Sequence, residues 1–315
     1  MAINTMTTRK GCFFLAVFLS LAPMAFGQRY ADWRIFRAPD GMPDSSCVSV
    51  AIGPNEKILT KHINTDSISE LNGFSITNFP SPEVGRNRVY ESSGGQLWTV
   101  TSQGLAEFRD GAWLIYPVPE IARLVNGVAP VASPLVPIQV IKQSRVLILL
   151  PDQLMEFNLE TPGKPRLIAL QSAGKTRLQN FLGFTVARDG SVWISGTRGL
   201  EHSTVPARTL KATDEWTEYL APETLEAENF HQPLQDVEAD GITCVADWLT
   251  SEQRLAVHFD GKDWTVQPVG TQKIRGAWQG AEGATWVVTL KTVFAIDRSG
   301  TAPYIEYSVS GNAST

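Results

Sequence analysis

The side chains of this 315-residue chain that could do chemistry are four histidines, three cysteines and a set of carboxylates that precede glycines. A metal site needs such donors at short, regular spacings, and His62, His202, His231 and His258 show none. His202 and His258 fall on segments whose apolar alternation makes them strand residues; His62 and His231 read as loop residues. Asp110, Asp189 and Asp260 each precede a glycine, which makes them turn formers before anything else. Residues 169–176 match a loose phosphate-loop expression, but that chemistry needs a helix N-terminus to follow. A strand pattern follows instead. Neither a Gly-x-Ser-x-Gly elbow nor an Asp-x-Asp-x-Asp-Gly calcium loop is present. The residues thus name no catalytic group, no metal and no cofactor.

The elements that would position a site are far more legible. Asp189-Gly190-Ser191-Val192-Trp193-Ile194-Ser195-Gly196-Thr197-Arg198-Gly199-Leu200 reads as a turn, a strand with a tryptophan, a glycine turn and a new strand. Weaker copies put Leu59, Trp98, Leu147, Trp193, Cys244 and Trp286 at one equivalent position. The steps between them are 39, 49, 46, 51 and 42 residues, the spacing of four-stranded propeller blades. Asn72-Gly73, Asp110-Gly111 and Asp260-Gly261 carry two-residue hairpin signals before a last strand opened by Phe74, Trp113, Trp216 or Trp264. The chain is therefore expected to be all-β: a β-propeller of about six four-stranded blades, or seven with one incomplete. Trp98, Trp193 and Trp286 are expected to fill the wedges between blades, because a lone sheet cannot bury its own faces.

Residues 1–27 have the form of an export signal. Arg9 and Lys10 precede an apolar run, and Ala25-Phe26-Gly27 offers small residues at a cleavage site. The expected organisation is a signal peptide over 1–27, a propeller over 28–308 and a polar tail over 309–315, in the periplasm or secreted. The mature chain would carry 25 basic and 32 acidic residues, a poor match to nucleic acid or anionic membranes. It contains no apolar run long enough to span a bilayer. Cys47 and Cys244 are expected as two buried thiols, with pairing left open.

Two units depart from the pattern. A Pro- and Val-rich segment, 117–137, precedes the third unit, and a polar insertion, 221–233, carries His231 before the fifth. Unstructured loops of that length are often functional. A propeller binds ligands on the rim or funnel formed by inter-blade loops and the turns between second and third strands. Gln103, Asp152, Arg198 and Lys291 occupy equivalent turns of that kind, and Asp44 lies in an inter-blade loop on the same face. Together they form the candidate ligand-binding ring, read alternatively as solvated turn residues.

Residues 189–200 and 110–113, with Trp33-Arg34-Ile35-Phe36 and Asp40-Gly41-Met42-Pro43-Asp44-Ser45, resemble the two-component regulator propeller repeat. The resemblance covers 30–308. It implies the periplasmic sensor half of hybrid histidine kinases, with an oligosaccharide or other small ligand and a membrane histidine kinase as partner. No kinase region follows in this sequence, so kinase activity is not carried over. The expectation is a non-enzymatic sensory or ligand-binding module. The alternatives are a secreted propeller enzyme of the polysaccharide or glycopeptide lyase kind, or a protein-docking scaffold. Segments 33–36 and 304–307 both offer a fourth strand, which implies either a spare strand on a six-bladed ring or a seventh blade begun.

Overall fold

The computed structural model describes residues 36–306, except 37, 45, 54–56, 63, 74, 127, 129–133, 143, 160–164, 236–240, 253, 268–273, 275, 280–284, 290, 291, 298 and 299. The expected signal segment and tail therefore lie outside the described residues, as does most of 33–36.

Six antiparallel sheets of four strands each follow one another along the chain. Blade 1 contains β1 (Cys47–Ile52), β2 (Ile58–His62), β3 (Ser67–Asn72) and β4 (Ser75–Pro80); blade 2 contains β5 (Val89–Glu91), β6 (Leu97–Thr101), β7 (Gly104–Arg109) and β8 (Ala112–Pro117). Blade 3 is β9 (Ile138–Lys142), β10 (Arg145–Leu150), β11 (Gln153–Asn158) and β12 (Arg166–Ser172). Blade 4 is β13 (Phe181–Val186), β14 (Val192–Gly196), β15 (Gly199–Ser203) and β16 (Thr217–Leu220). Blade 5 is β17 (Ala227–Gln235), β18 (Ile242–Trp248), β19 (Arg254–Phe259) and β20 (Trp264–Gln267); blade 6 is β21 (Gly276–Gln279), β22 (Thr285–Val288), β23 (Thr292–Asp297) and β24 (Gly300–Glu306). Every sheet pairs its strands in chain order. The first strand of one blade meets the first strand of the next, as β1 meets β5 and β13 meets β17. The chain is a six-bladed β-propeller. Segment 304–307 is no spare strand, because residues 300–306 form the fourth strand of blade 6.

All six aligned positions fall on second strands. Trp98 is fully buried and meets Tyr116 of its own blade and Phe157 of blade 3, each at 6.0 Å between centroids. Trp193 stacks on His202 at 4.0 Å and reaches Phe259 of blade 5 at 6.3 Å. Leu147 and Cys244 are buried at the same position, and Trp286 is half-buried.

The turn glycines of the repeat answer to one clash. Gly199 has φ +148°, and a Cβ there would sit 2.3 Å from the carbonyl oxygen of Tyr219 on the fourth strand. Gly104 repeats this with φ +149° and the carbonyl of Tyr116. Gly199→Ala is expected to lower stability by about 1–3 kcal/mol through strain and displaced pairing. A chemical denaturation midpoint checks it, and an unchanged midpoint would show that the turn relaxes without penalty.

Several local expectations need correction. Segment 117–137 carries a helix, α1 (Pro119–Val125), which Pro119 can open because the first helical position needs no amide hydrogen. Segment 221–233 is not a loop insertion, since most of it is β17, a long first strand. His62 and His231 lie on β2 and β17, not in loops. His62 is fully buried and its Nε2 meets the Ser69 hydroxyl at 2.8 Å; that hydroxyl donates to Asn78 at 2.6 Å. This ladder across β2, β3 and β4 explains the histidine as structural. Cys47 is exposed instead of buried, Cys244 is buried, and no disulfide joins them. Of the hairpin signals, Asp110-Gly111 forms the two-residue turn with φ 52° and 82°. Asn72 pairs with Ser75 and so ends β3 instead of standing in the turn, and Asp260-Gly261 belongs to a four-residue loop between Phe259 and Trp264. In that loop the Asp260 carboxylate accepts the amides of Lys262 and Asp263.

Candidate functional site

The turns between second and third strands open on one face. Three of the five ring candidates sit there in equivalent geometry. The backbone carbonyl of Gln103 accepts the amide of Val118 at 3.0 Å, that of Asp152 the amide of Ala173 at 2.8 Å, and that of Arg198 the amide of Ala221 at 3.0 Å. All three side chains are exposed. Asp44 is tied up by its own chain: its carboxylate accepts the amide of Ser46 and both the amide and the side chain of Asn64, at 2.9–3.2 Å. These bonds, led by that from Ser46, hold its carboxyl below the usual range. Lys291 lies outside the described residues. Gln103, Asp152 and Arg198 belong to three separate blades.

One corner of that face is built differently from the rest. It lies where blade 4 meets blade 5. Of the five described non-glycine residues with positive φ, four are here: Gln179 at 68°, Glu226 at 51°, Asn229 at 53° and Gln232 at 51°. Such backbone costs energy and persists only where the surroundings enforce it. Here β17 bulges twice against β18, between Glu228 and His231 and again between His231 and Leu234. Its displaced groups are satisfied from neighbouring blades. The amide of Asn229 donates to the carbonyl of Thr197 at 2.9 Å, and the Gln232 side chain accepts the amide of Ala277 at 3.1 Å. The bulges bind blades 4, 5 and 6 together and re-aim the side chains of β17.

Two features result. Arg198, Gln179, Thr197, Glu223, Glu228 and Leu249 line a pocket of about 220 Å³. On the side of blade 5 toward blade 6, Asp247 is held by Arg254 Nε at 3.0 Å and Asn229 Nδ2 at 3.2 Å, with His231 Nε2 at 4.0 Å. Burial and then the Arg254 charge lower the His231 pKa, with Asp247 opposing. The imidazole, ordinarily near 6.5, is therefore neutral at pH 7. A neutral imidazole can accept a proton or a hydrogen bond, and both His231 and Asp247 keep about a third of their side-chain surface in solvent. Sequence reading missed the contribution of Asp247, Arg254 and Asn229. The one signal was His231 within a segment lacking strand alternation. Among the described residues no group of three or more His, Cys, Asp or Glu side chains could hold a metal ion.

A buried carboxyl stands behind the same face between blades 3 and 4. Glu201 on β15 accepts Gln171 Nε2 from β12 at 2.6 Å, and its other oxygen has no hydrogen-bond partner among the described residues. Glu218 stands opposite on β16. Burial raises the Glu201 pKa to about 7; the Gln171 bond opposes this and the Glu218 charge adds to it. A carboxyl whose value is raised in the folded state binds its proton more tightly there. Its contribution is present below the unfolded value and is lost as pH rises through about 7. Stability is expected to fall by about 2–3 kcal/mol between pH 5 and pH 8 from this group. Glu201→Gln should flatten that slope in urea titrations across pH, and an equally steep slope in the variant would exclude Glu201 as its source.

No protein-family model matches the chain, and no curated protein matches it. Among solved structures it is similar to a streptogramin B lyase, at 14% identity over 85% of each chain with a TM-score of 0.60. It is similar to virginiamycin B lyase from Staphylococcus aureus at 13% identity, over 81% of this chain and 82% of the other, with a TM-score of 0.57. It is also matched by the extracellular domain of a hybrid two-component system from B. thetaiotaomicron, at 15% identity over 82% of this chain and 43% of that one, with a TM-score of 0.48. At these identities the two lyase likenesses speak for the propeller fold alone.

Proposed function

We propose that this chain is an exported ligand-binding propeller of the sensory type, whose ligand seats at the strained corner of blades 4 and 5. The observation that carries the reading is β17. A nine-residue strand with two bulges and two left-handed non-glycine residues, Asn229 and Gln232, is costly, and it serves to aim polar groups at an open face. The pocket beside Arg198 and the Asp247–Arg254–His231 cluster flank it. Both charges are represented, which suits a neutral polyhydroxylated ligand such as an oligosaccharide, hydrogen-bonded from several sides. Residues 1–27 would be removed on export, leaving the propeller over 28–308 and the short tail over 309–315. A membrane histidine kinase is the partner the sequence resemblance suggests. Among the described residues no helix is long and apolar enough to cross a membrane.

The test is a thermal-shift screen of the mature chain against an oligosaccharide panel. A ligand at about 100 times its Kd should stabilise by about 2.7 kcal/mol, and Arg198→Ala should reduce its affinity by about tenfold. Ligands whose shift is indifferent to Arg198, His231 and Asp247 would place binding elsewhere.

The second reading, a lyase, is favoured by one observation: a neutral imidazole 4.0 Å from a carboxylate on an open face. Incubation with a streptogramin B antibiotic, followed by reversed-phase chromatography with fragmentation mass spectrometry, tests it. Conversion of the antibiotic that is abolished by His231→Ala would support it; an unchanged substrate after prolonged incubation would count against it.

A further inference from the structure

On the opposite face, between blades 3 and 4, lies a cleft of about 620 Å³. One wall is apolar, formed by Ile168, Leu170, Val205 and Leu210, which belong to or pack on the core between these blades. The other wall is cationic. Arg145 is 7% exposed, and its guanidinium is paired with Glu156 and donates to the carbonyls of Arg208 and Leu210. Its Nε has no hydrogen-bond partner among the described residues.

The charge balance of the cleft runs against that of the protein. The chain carries a net charge of −5, whereas the cleft is lined by Arg145, Arg208 and Lys211 against Glu156 and Asp214. Both carboxylates are already engaged. Glu156 takes Arg145 and, at 3.0 Å, Asn158; Asp214 accepts the amide of Lys211 at 2.7 Å. Arg208 and Lys211 are exposed at the rim, and neither forms an ion pair among the described residues. What remains is an apolar wall beside two uncommitted cations.

We infer that this cleft is a second binding site, for a small amphipathic organic anion. The acidic head meets Arg208 and Lys211, and the apolar body lies on Ile168, Leu170 and Leu210. The volume suits a ligand of that size, since such sites run from about 300 to 1,000 Å³. This site is separate from the proposed one at blades 4 and 5 and stands whether or not that one holds.

The test is titration of the mature chain with anilinonaphthalene sulfonate, an apolar aromatic carrying one anionic group, followed by competition with octanoate. One saturable site is expected, displaced by octanoate. The double substitution Arg208→Ala with Lys211→Ala should weaken it by about tenfold, as expected for loss of two partly screened charges. Ala212→Trp, which adds bulk inside the cleft, should block it while leaving the unfolding midpoint unchanged. Binding that survives both variants, or no saturable binding at millimolar probe, overturns the inference.

Discussion

Arg145→Ala is expected to destabilise the propeller by about 3–5 kcal/mol, the range for removing one partner of a buried ion pair. Three losses combine. Glu156, 5% exposed, is left in a buried place with Asn158 as its remaining side-chain donor among the described residues. The carbonyls of Arg208 and Leu210 lose their donor, so the 204–216 connection of blade 4 is no longer stapled to blade 3. The cleft behind the guanidinium opens further. The comparison that isolates the charge is Arg145→Met with Glu156→Leu. A buried pair replaced by apolar groups of similar size is often near neutral, so this double variant should recover most of the loss. Denaturation midpoints of the three proteins decide it. Equal destabilisation by the single and double variants would show that the carbonyl staple, not the charge, carries the effect.

Trp98→Ala is expected to cost about 3–5 kcal/mol as well, through lost transfer energy and the cavity left behind. Trp98 is fully buried and shares a cluster with Val100, Leu105, Ile121, Ile148 and Phe157. Those residues come from blade 2, blade 3 and α1, so the cavity would open at a seam between rigid sheets that cannot collapse into it. Trp98→Phe should lose less than half as much, because an aromatic ring still fills part of the space. An effect under 1 kcal/mol for Trp98→Ala would mean that the seam closes by sliding one blade, contrary to the wedge role.

The propeller was legible in the sequence because its signals are local and repeated. Trp98, Trp193 and Trp286 all fall on second strands, and Gly104 and Gly199 recur because a Cβ would strike the fourth strand of the same blade. The equivalence of Gln103, Asp152 and Arg198 follows from that local grammar too. The strained corner was not legible. His231 read as a loop residue because two bulges in β17 erase the period-two alternation, and what holds those bulges comes from Thr197 and Ala277, on other blades. The role of Arg145 was hidden for the same reason, its carbonyl partners lying 63 and 65 residues further along. The burial of His62 and the exposure of Cys47, adjacent across β1 and β2, were likewise decided by packing around the ring. Sequence determines the blade, because a blade's turns and strand order are set within some 45 residues. Only the tertiary structure determines which blade is distorted and which polar groups meet, because those depend on contacts between blades that no local pattern encodes.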